Sequence, residues 1–201
     1  MEKTDKKSKA HRLKPSLNLK IGIILLGMFL IFSPHAFCQE ARLTNIIVTN
    51  TRDDLLLYFS VEGAFQQKMK EAILSGVPAS FSFYISLYRN RNFWLDKEIA
   101  DLKITHAIKY NTVKKEFVIT RSWENSSPIV TQSFIEAQRL MIEIDSLKIL
   151  PLKRLEKGNQ YQLRAKAELS KLTLPFYLHY ILFFVSLWDF ETDWYTVDFI
   201  Y

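Results

Sequence analysis

The chain has 201 residues and a formal net charge of +6, with 27 basic and 21 acidic side chains. Seven of the basic and two of the acidic residues precede residue 39, which leaves 20 basic and 19 acidic residues in the remaining 163. A net charge near +1 excludes the strong positive potential on which nucleic-acid binding depends, so no nucleic-acid partner is expected.

The amino-terminal segment has the order of features that is typical of a secretory signal peptide. Seven Lys and Arg residues precede twelve uncharged residues, 21–32. Pro34 follows, and Ala36 and Cys38 then occupy the small-residue positions before the cleavage site. We predict a signal peptide over residues 1–38, cleaved between Cys38 and Gln39. The mature chain, 39–201, is then expected to be exported to the periplasm as one domain.

An uncleaved inner-membrane anchor through residues 21–32 is the alternative for the same segment. A helix that crosses a bilayer needs about 20 apolar residues, so a run of twelve favours cleavage. Cys38 is the single cysteine of the chain. Because the mature chain then has none, its stability must come from packing rather than from disulfide bonds.

Alternation of apolar and polar residues with a period of two predicts about seven strands. It is clearest in residues 55–61 and 81–88, where every second side chain is apolar and its neighbours are mostly polar. Strands with one apolar and one polar face are typical of antiparallel sheets. The other predicted strands are 41–49, 102–110, 116–121, 161–169 and 194–201.

Two segments have helical periodicity instead. The first carries apolar residues from Phe65 to Ile73 and stops at Gly76, as a helix with a left-handed C-terminal residue does. The second is predicted to begin at Ser133, with Glu136 as the partner in a capping box. Its apolar face comprises Ala137, Leu140, Met141 and Ile144. We predict an α+β domain, mainly an antiparallel β-sandwich of about seven strands with two or three inserted helices.

Residues 172–188 form an apolar segment of 17 residues without a charged side chain. Its length lies at the lower limit for crossing a membrane, and only thirteen residues follow it. A buried connection that packs on the sandwich is the favoured interpretation. An exposed patch that contacts lipid or a partner is the second interpretation, and a membrane span is the third.

The mature chain has two histidines, His106 and His179, and neither has a second ligand at metal-binding spacing. His106 lies on the apolar face of a predicted strand, so we expect it to be packed and hydrogen-bonded. No nucleophile, phosphate or dinucleotide motif occurs in the sequence. The sequence therefore predicts no enzyme activity, no cofactor and no metal site.

Acidic and aromatic residues alternate near the carboxyl terminus. Such a cluster can stack a ligand between indole rings or present carboxylates to a partner. We predict that it contacts a partner or ligand through Trp188, Asp189, Glu191, Asp193 and Trp194.

A second mixture of arginines and aromatics occupies residues 88–94. Arg beside aromatic residues is typical of loops that contact a partner, but it equally describes the exposed end of a hairpin. Both interpretations remain open from the sequence.

Three segments, 43–65, 72–89 and 174–199, resemble the bacterial domain of unknown function family 4390. The most specific features are Leu174-Pro175, the apolar run to Trp188, and the Asp189 to Trp194 cluster that follows. This resemblance implies an exported, single-domain envelope protein with no assigned activity or catalytic residue. It also implies a link to membrane sensor kinases, beside whose genes some relatives occur.

The sequence thus predicts a non-enzymatic periplasmic binding or interaction module. An envelope or membrane protein is the expected partner, and the membrane itself is contacted only through the leader or peripherally. The alternative function is a peripheral component of a membrane assembly that is contacted through residues 172–188.

Overall fold

The computed structural model describes residues 41–91, 93–124, 127–169 and 191–201. The predicted signal peptide and the apolar segment 172–188 lie outside the described residues. Within the described ranges the chain forms nine strands, two α-helices and a short 3₁₀ turn at Leu152–Arg154. The strands are β1 (Arg42–Asn50), β2 (Asp54–Glu62), β3 (Ala79–Arg89), β4 (Lys97–Asn111), β5 (Glu116–Arg121), β6 (Ile129–Thr131), β7 (Glu143–Pro151), β8 (Gln160–Leu169) and β9 (Tyr195–Ile200), and the helices are α1 (Gln67–Leu74) and α2 (Phe134–Ile142).

The strands form two antiparallel sheets whose apolar faces pack against each other. One sheet has the order β1-β2-β7 and the other has the order β6-β5-β4-β3-β8-β9. Alternation in β2 and β3 turns Phe59 and Phe83 into the space between the sheets, where their rings meet edge to face at 5.7 Å. The predicted α+β sandwich is therefore confirmed, with nine strands rather than about seven.

The strand that the sequence did not predict is chiefly β7, and a bulge explains why. Ser146 has a φ of +54°, and the register between β2 and β7 shifts beside it. A bulge adds one residue to a strand, so the period of two is lost across it. β6, the other unpredicted strand, is three residues long and too short for alternation to show.

The same strand corrects the predicted extent of the second helix. Ile144 was expected on the apolar face of that helix, but α2 ends at Ile142 and Ile144 is buried in β7 opposite Phe59. Ile144 is β-branched and the sheet offers it a buried position, so tertiary packing overrides the helical spacing.

The predicted start of α2 is confirmed. The hydroxyl of Ser133 accepts a hydrogen bond from the backbone N–H of Glu136 at 3.3 Å, which satisfies one of the free donors at the helix end. The carboxylate of Glu136 accepts from the hydroxyl of Thr131 instead of completing a capping box. Of the two helices described, neither is long and apolar enough to cross a membrane.

The predicted end of α1 at Gly76 is confirmed as well. Gly76 has a φ of +91°, its N–H donates to Ile73 O at 2.9 Å, and the N–H of Val77 donates to Ala72 O at 3.0 Å. These two bonds form a Schellman motif, which requires a left-handed residue at Gly76.

Replacing Gly76 by Ala tests this requirement. The added Cβ meets Thr112 Cγ2 at 3.6 Å, an ordinary contact, so the cost comes from the backbone conformation and not from a clash. We expect Gly76→Ala to lower the free energy of unfolding by about 1 kcal/mol, measured in urea. Gly76→Asn should cost clearly less because Asn tolerates this conformation. Equal losses for both variants would contradict the explanation.

Candidate functional site

The outer face of the six-stranded sheet carries an interlocked set of polar and aromatic side chains. Alternation in β3 turns Tyr84 and Tyr88 away from the core, and alternation in β8 does the same for Arg164 and Lys166. The β3–β8 register places Tyr84 opposite Lys166, and Ser86 opposite Arg164. Side chains directly opposite each other on one face interact, so this register determines the contacts of the site.

Tyr84 is held at the centre of this face by charged neighbours. Its hydroxyl donates to Glu168 Oε1 at 2.5 Å. The ammonium groups of Lys103 and Lys166 lie 4.9 and 6.0 Å from the centre of its ring. A cation over an aromatic face is attracted by the ring's electron density. The Tyr84 side chain is therefore fixed from three sides.

The segment that leads into β9 is bound to the edge of β8. Thr192 is buried, its N–H donates to Ala167 O at 2.9 Å, and its hydroxyl accepts from the N–H of Ala167 at 3.0 Å. Glu191 accepts a hydrogen bond from the ammonium group of Lys166. This hydrogen bond raises the pKa of Lys166 above the ordinary lysine value.

Asp193 and Trp194 follow at the same edge. Asp193 lines a depression of about 450 Å³ together with Arg42 and Glu62, which form an ion pair at 2.7 Å. The indole of Trp194 is 50% exposed and lies 5.6 Å from the ammonium group of Lys166.

Three of the five predicted contact residues therefore lie side by side on the structure. Glu191, Asp193 and Trp194 form one short edge beside β8. Trp188 and Asp189 lie outside the described residues.

A groove of about 520 Å³ crosses the outer face next to Trp194. Arg164 contacts two other lining residues: its guanidinium stacks on Tyr88 at 4.8 Å, and its Nε donates to Gln162 Oε1 at 2.7 Å. Among the described residues Arg164 forms no salt bridge, so its charge is not neutralised within this part of the chain. The groove is lined by Ser86, Tyr88, Gln162, Arg164, Trp194 and Thr196.

Sequence reasoning found Trp194 but did not place Arg164 and Tyr88 beside it. The alternation of β8 did indicate that Arg164 faces away from the core, because apolar residues flank it on both sides. Its partner Tyr88 lies 76 positions earlier in the chain. Only the strand register brings the two side chains together.

His106 occupies a buried position on β4, as predicted. Its Nδ1–H donates to the carbonyl oxygen of Met141 at 3.0 Å, and its Nε2 accepts from the indole N–H of Trp123 at 3.0 Å. The ring also contacts Phe83 at 4.9 Å between centres. Both nitrogens are thus occupied, and they require the neutral tautomer with the proton on Nδ1.

Burial lowers the pKa of His106 to about 4, with a smaller contribution from the positive charge of Arg121. Arg121 is itself paired with Glu124 at 3.0 Å and donates to Glu143 O at 3.2 Å. In the described part of the chain no group of three His, Cys, Asp or Glu side chains is placed to hold a metal ion.

The described residues form a β-sandwich domain. It consists of two antiparallel sheets packed face to face, with inserted helices and one polar outer face. The family model described as Domain of unknown function (DUF4390) matches residues 38–198. The chain belongs to this family, which confirms the resemblance found in its sequence. Comparison with curated proteins found no match, and comparison with solved structures found none.

The burial of His106 predicts acid sensitivity. The unfolded chain takes up a proton at this histidine below pH 6.5, whereas the folded chain keeps it neutral down to pH about 4. The contribution of His106 to stability, about 3 kcal/mol, is therefore fully present above pH 6.5 and is lost as the pH drops towards 4.

Urea unfolding of the wild type and of His106→Gln, compared near pH 7 and near pH 4, measures this effect. Gln has a donor and an acceptor but does not titrate in this range. The wild type should lose more stability than the variant over the interval, because only the wild type has the titrating imidazole at position 106. The contributions of the carboxylates are the same in both proteins and cancel in the difference. A constant difference between the two proteins would contradict the assignment.

Proposed function

We propose that the mature chain is a non-enzymatic binding module of the bacterial envelope that engages a partner polypeptide at the groove across β3, β8 and β9. The observation that carries the proposal is that the half-exposed Trp194 and Arg164, a cation stacked on Tyr88, line the same groove. Trp, Tyr and Arg are the residue types that dominate the energy of protein interfaces.

Preorganisation supports this assignment. Arg164 is held by Tyr88 and Gln162 before any partner arrives, so binding costs less side-chain entropy than it does for a free arginine. Trp194 lies two residues after Thr192, which is hydrogen-bonded to Ala167 of β8. Both side chains are therefore positioned at the groove before a partner binds.

The chemistry of the groove favours a polypeptide that carries a carboxylate. Ser86, Gln162 and Thr196 offer hydrogen-bond donors and acceptors of the kind that a peptide backbone uses. Arg164 suits a carboxylate, which it can bind with two parallel hydrogen bonds. Within the described residues β9 pairs only with β8, so its outer edge can also receive an added strand.

The proposed location is the periplasm, after removal of residues 1–38. It rests on the basic and apolar order of the leader and on the absence of cysteine from the mature chain. An envelope or membrane protein, such as a membrane sensor, is the proposed source of the partner segment.

The mass of the protein isolated from its own cells tests the proposed location. We expect a chain that begins at Gln39, recovered in the periplasmic fraction, because the leader is removed during export. A protein that keeps its original amino terminus and fractionates with the inner membrane would instead support the anchor through residues 21–32.

Photo-crosslinking tests the groove. The full-length chain carries a photoreactive phenylalanine at position 194 in its native cells, and a matched control carries it at position 113, at the exposed turn between β4 and β5. We expect a discrete crosslinked species at 194 only. Arg164→Ala should weaken it about tenfold, as expected for a residue that dominates an interface.

Two results would contradict the proposal. One is equal crosslinking at positions 194 and 113, which would mean random collision. The other is a crosslink at 194 that Arg164→Ala leaves unchanged while the urea midpoint of the variant matches the wild type.

A further inference from the structure

The hairpin between β3 and β4 ends in three consecutive large apolar residues, Phe93, Trp94 and Leu95, which we call the apolar tip. Their exposed fractions are 94%, 80% and 90%. Side chains this exposed contact little of their own domain, so the tip projects from the fold and does not line its core. Contiguous exposed apolar side chains mark interaction sites.

The tip stands on a rigid support. β3 and β4 are paired up to Arg89 and Lys97, directly below it. Within the turn, the N–H of Arg91 donates to Asp96 Oδ1 at 3.3 Å. An apolar group carried at the end of two paired strands binds with a smaller entropy cost than one on a free loop.

Two other segments meet the hairpin at the same end of the sandwich. Arg89 forms an ion pair with Glu156 at 2.5 Å, and a guanidinium nitrogen of Arg154 donates to Ile99 O at 3.0 Å. The N–H of Leu152 donates to Asp53 O at 2.8 Å. Residues 51–54, 89–91, 93–98 and 148–159 therefore share one end, which we call the basic end.

The basic end has an excess of positive charge that the rest of the mature chain lacks. It holds eight basic and five acidic residues, whereas the remainder of the mature chain holds 12 basic and 14 acidic residues. Arg91 and Lys97, which flank the tip, form no salt bridge with any described residue. The basic residues are Arg52, Arg89, Arg91, Lys97, Lys148, Lys153, Arg154 and Lys157, and the acidic residues are Asp53, Asp54, Asp96, Glu98 and Glu156.

We propose that the basic end is a membrane-docking surface, in which the apolar tip enters the headgroup region of an anionic bilayer and the surrounding lysines and arginines contact lipid phosphates. The combination of an exposed apolar tip with surrounding basic residues favours lipid as the partner. Trp94 has an apolar ring with a polar N–H, which suits the interface between water and hydrocarbon. Basic residues near an anionic leaflet are attracted to it. A projecting tip also inserts into a fluid phase without needing a shaped pocket.

This surface is separate from the groove at Trp194. The groove is lined by outward-facing residues of β3 and β8 and by residues of the β9 edge, whereas the tip lies beyond the last paired residues of β3 and β4. The docking surface thus orients the domain on a membrane and leaves the polypeptide groove accessible.

A fluorescent label reports insertion at the tip itself. The purified full-length chain carries Cys38→Ser and a single environment-sensitive label at Leu95→Cys, and the matched control carries the label at Val113→Cys, which is 89% exposed at a turn beyond the other end of β4. With phosphatidylglycerol vesicles we expect a blue shift and increased emission at position 95 and no change at position 113. Because residues 1–40 are the same in both proteins, binding through the leader affects both alike.

Vesicle sedimentation measures the energetic contribution. We expect two variants to bind phosphatidylglycerol vesicles about tenfold or more weakly than the wild type. One is the triple variant Phe93→Ser, Trp94→Ser, Leu95→Ser, and the other is the double variant Arg91→Glu, Lys97→Glu. Val113→Ser should leave vesicle binding unchanged. Added salt should weaken the wild type more than the double glutamate variant, because part of the attraction is electrostatic.

The proposal is overturned if the label at position 95 does not respond to vesicles, or if both tip variants bind as the wild type does while their urea midpoints are unchanged. It is also overturned if the labelled tip responds only to an added envelope protein and not to vesicles, since the tip is then a protein contact. Equal response to phosphatidylglycerol and to pure phosphatidylcholine vesicles would contradict the role of the basic residues.

Discussion

The pairing of β3 with both β4 and β8 is the constraint on which the rest of the structure depends. One face of β3 supplies Phe83 to the core against Phe59, and the opposite face presents Tyr84 and Tyr88 to solvent. Its end carries the hairpin whose turn projects from the domain. A one-residue slip of this strand would exchange its two faces and remove core, groove and tip together.

The sequence predicted elements wherever one local period is unbroken. Apolar and polar residues alternate without interruption in β3 and β8. The end of α1 at Gly76 follows from the ease with which glycine adopts a positive φ. β7 was not predicted because the bulge at Ser146 breaks its period. Ile144 was assigned to the helix because its spacing fits both structures, and only the sheet beside it decides between them.

The candidate site was predictable in part for the same reason. Glu191, Asp193 and Trp194 are adjacent in sequence, so their clustering needed no knowledge of the fold. Tyr88 and Arg164 meet only through the register of two strands that are distant in sequence, which no local pattern encodes. The charge excess around the hairpin likewise combines segments that the topology brings to one end.

The buried imidazole on β4 has a consequence for how the sandwich comes apart. His106 links the six-stranded sheet to α2 through its hydrogen bond to the carbonyl oxygen of Met141. Arg121 links the same sheet to the other sheet, because its guanidinium donates to the carbonyl oxygen of Glu143, the first residue of β7. Opening one layer alone would leave these polar groups without partners in the part that stays packed and apolar. The two sheets should therefore open together in one cooperative event, with backbone amides in both layers exchanging their hydrogens at the same rate-limiting opening.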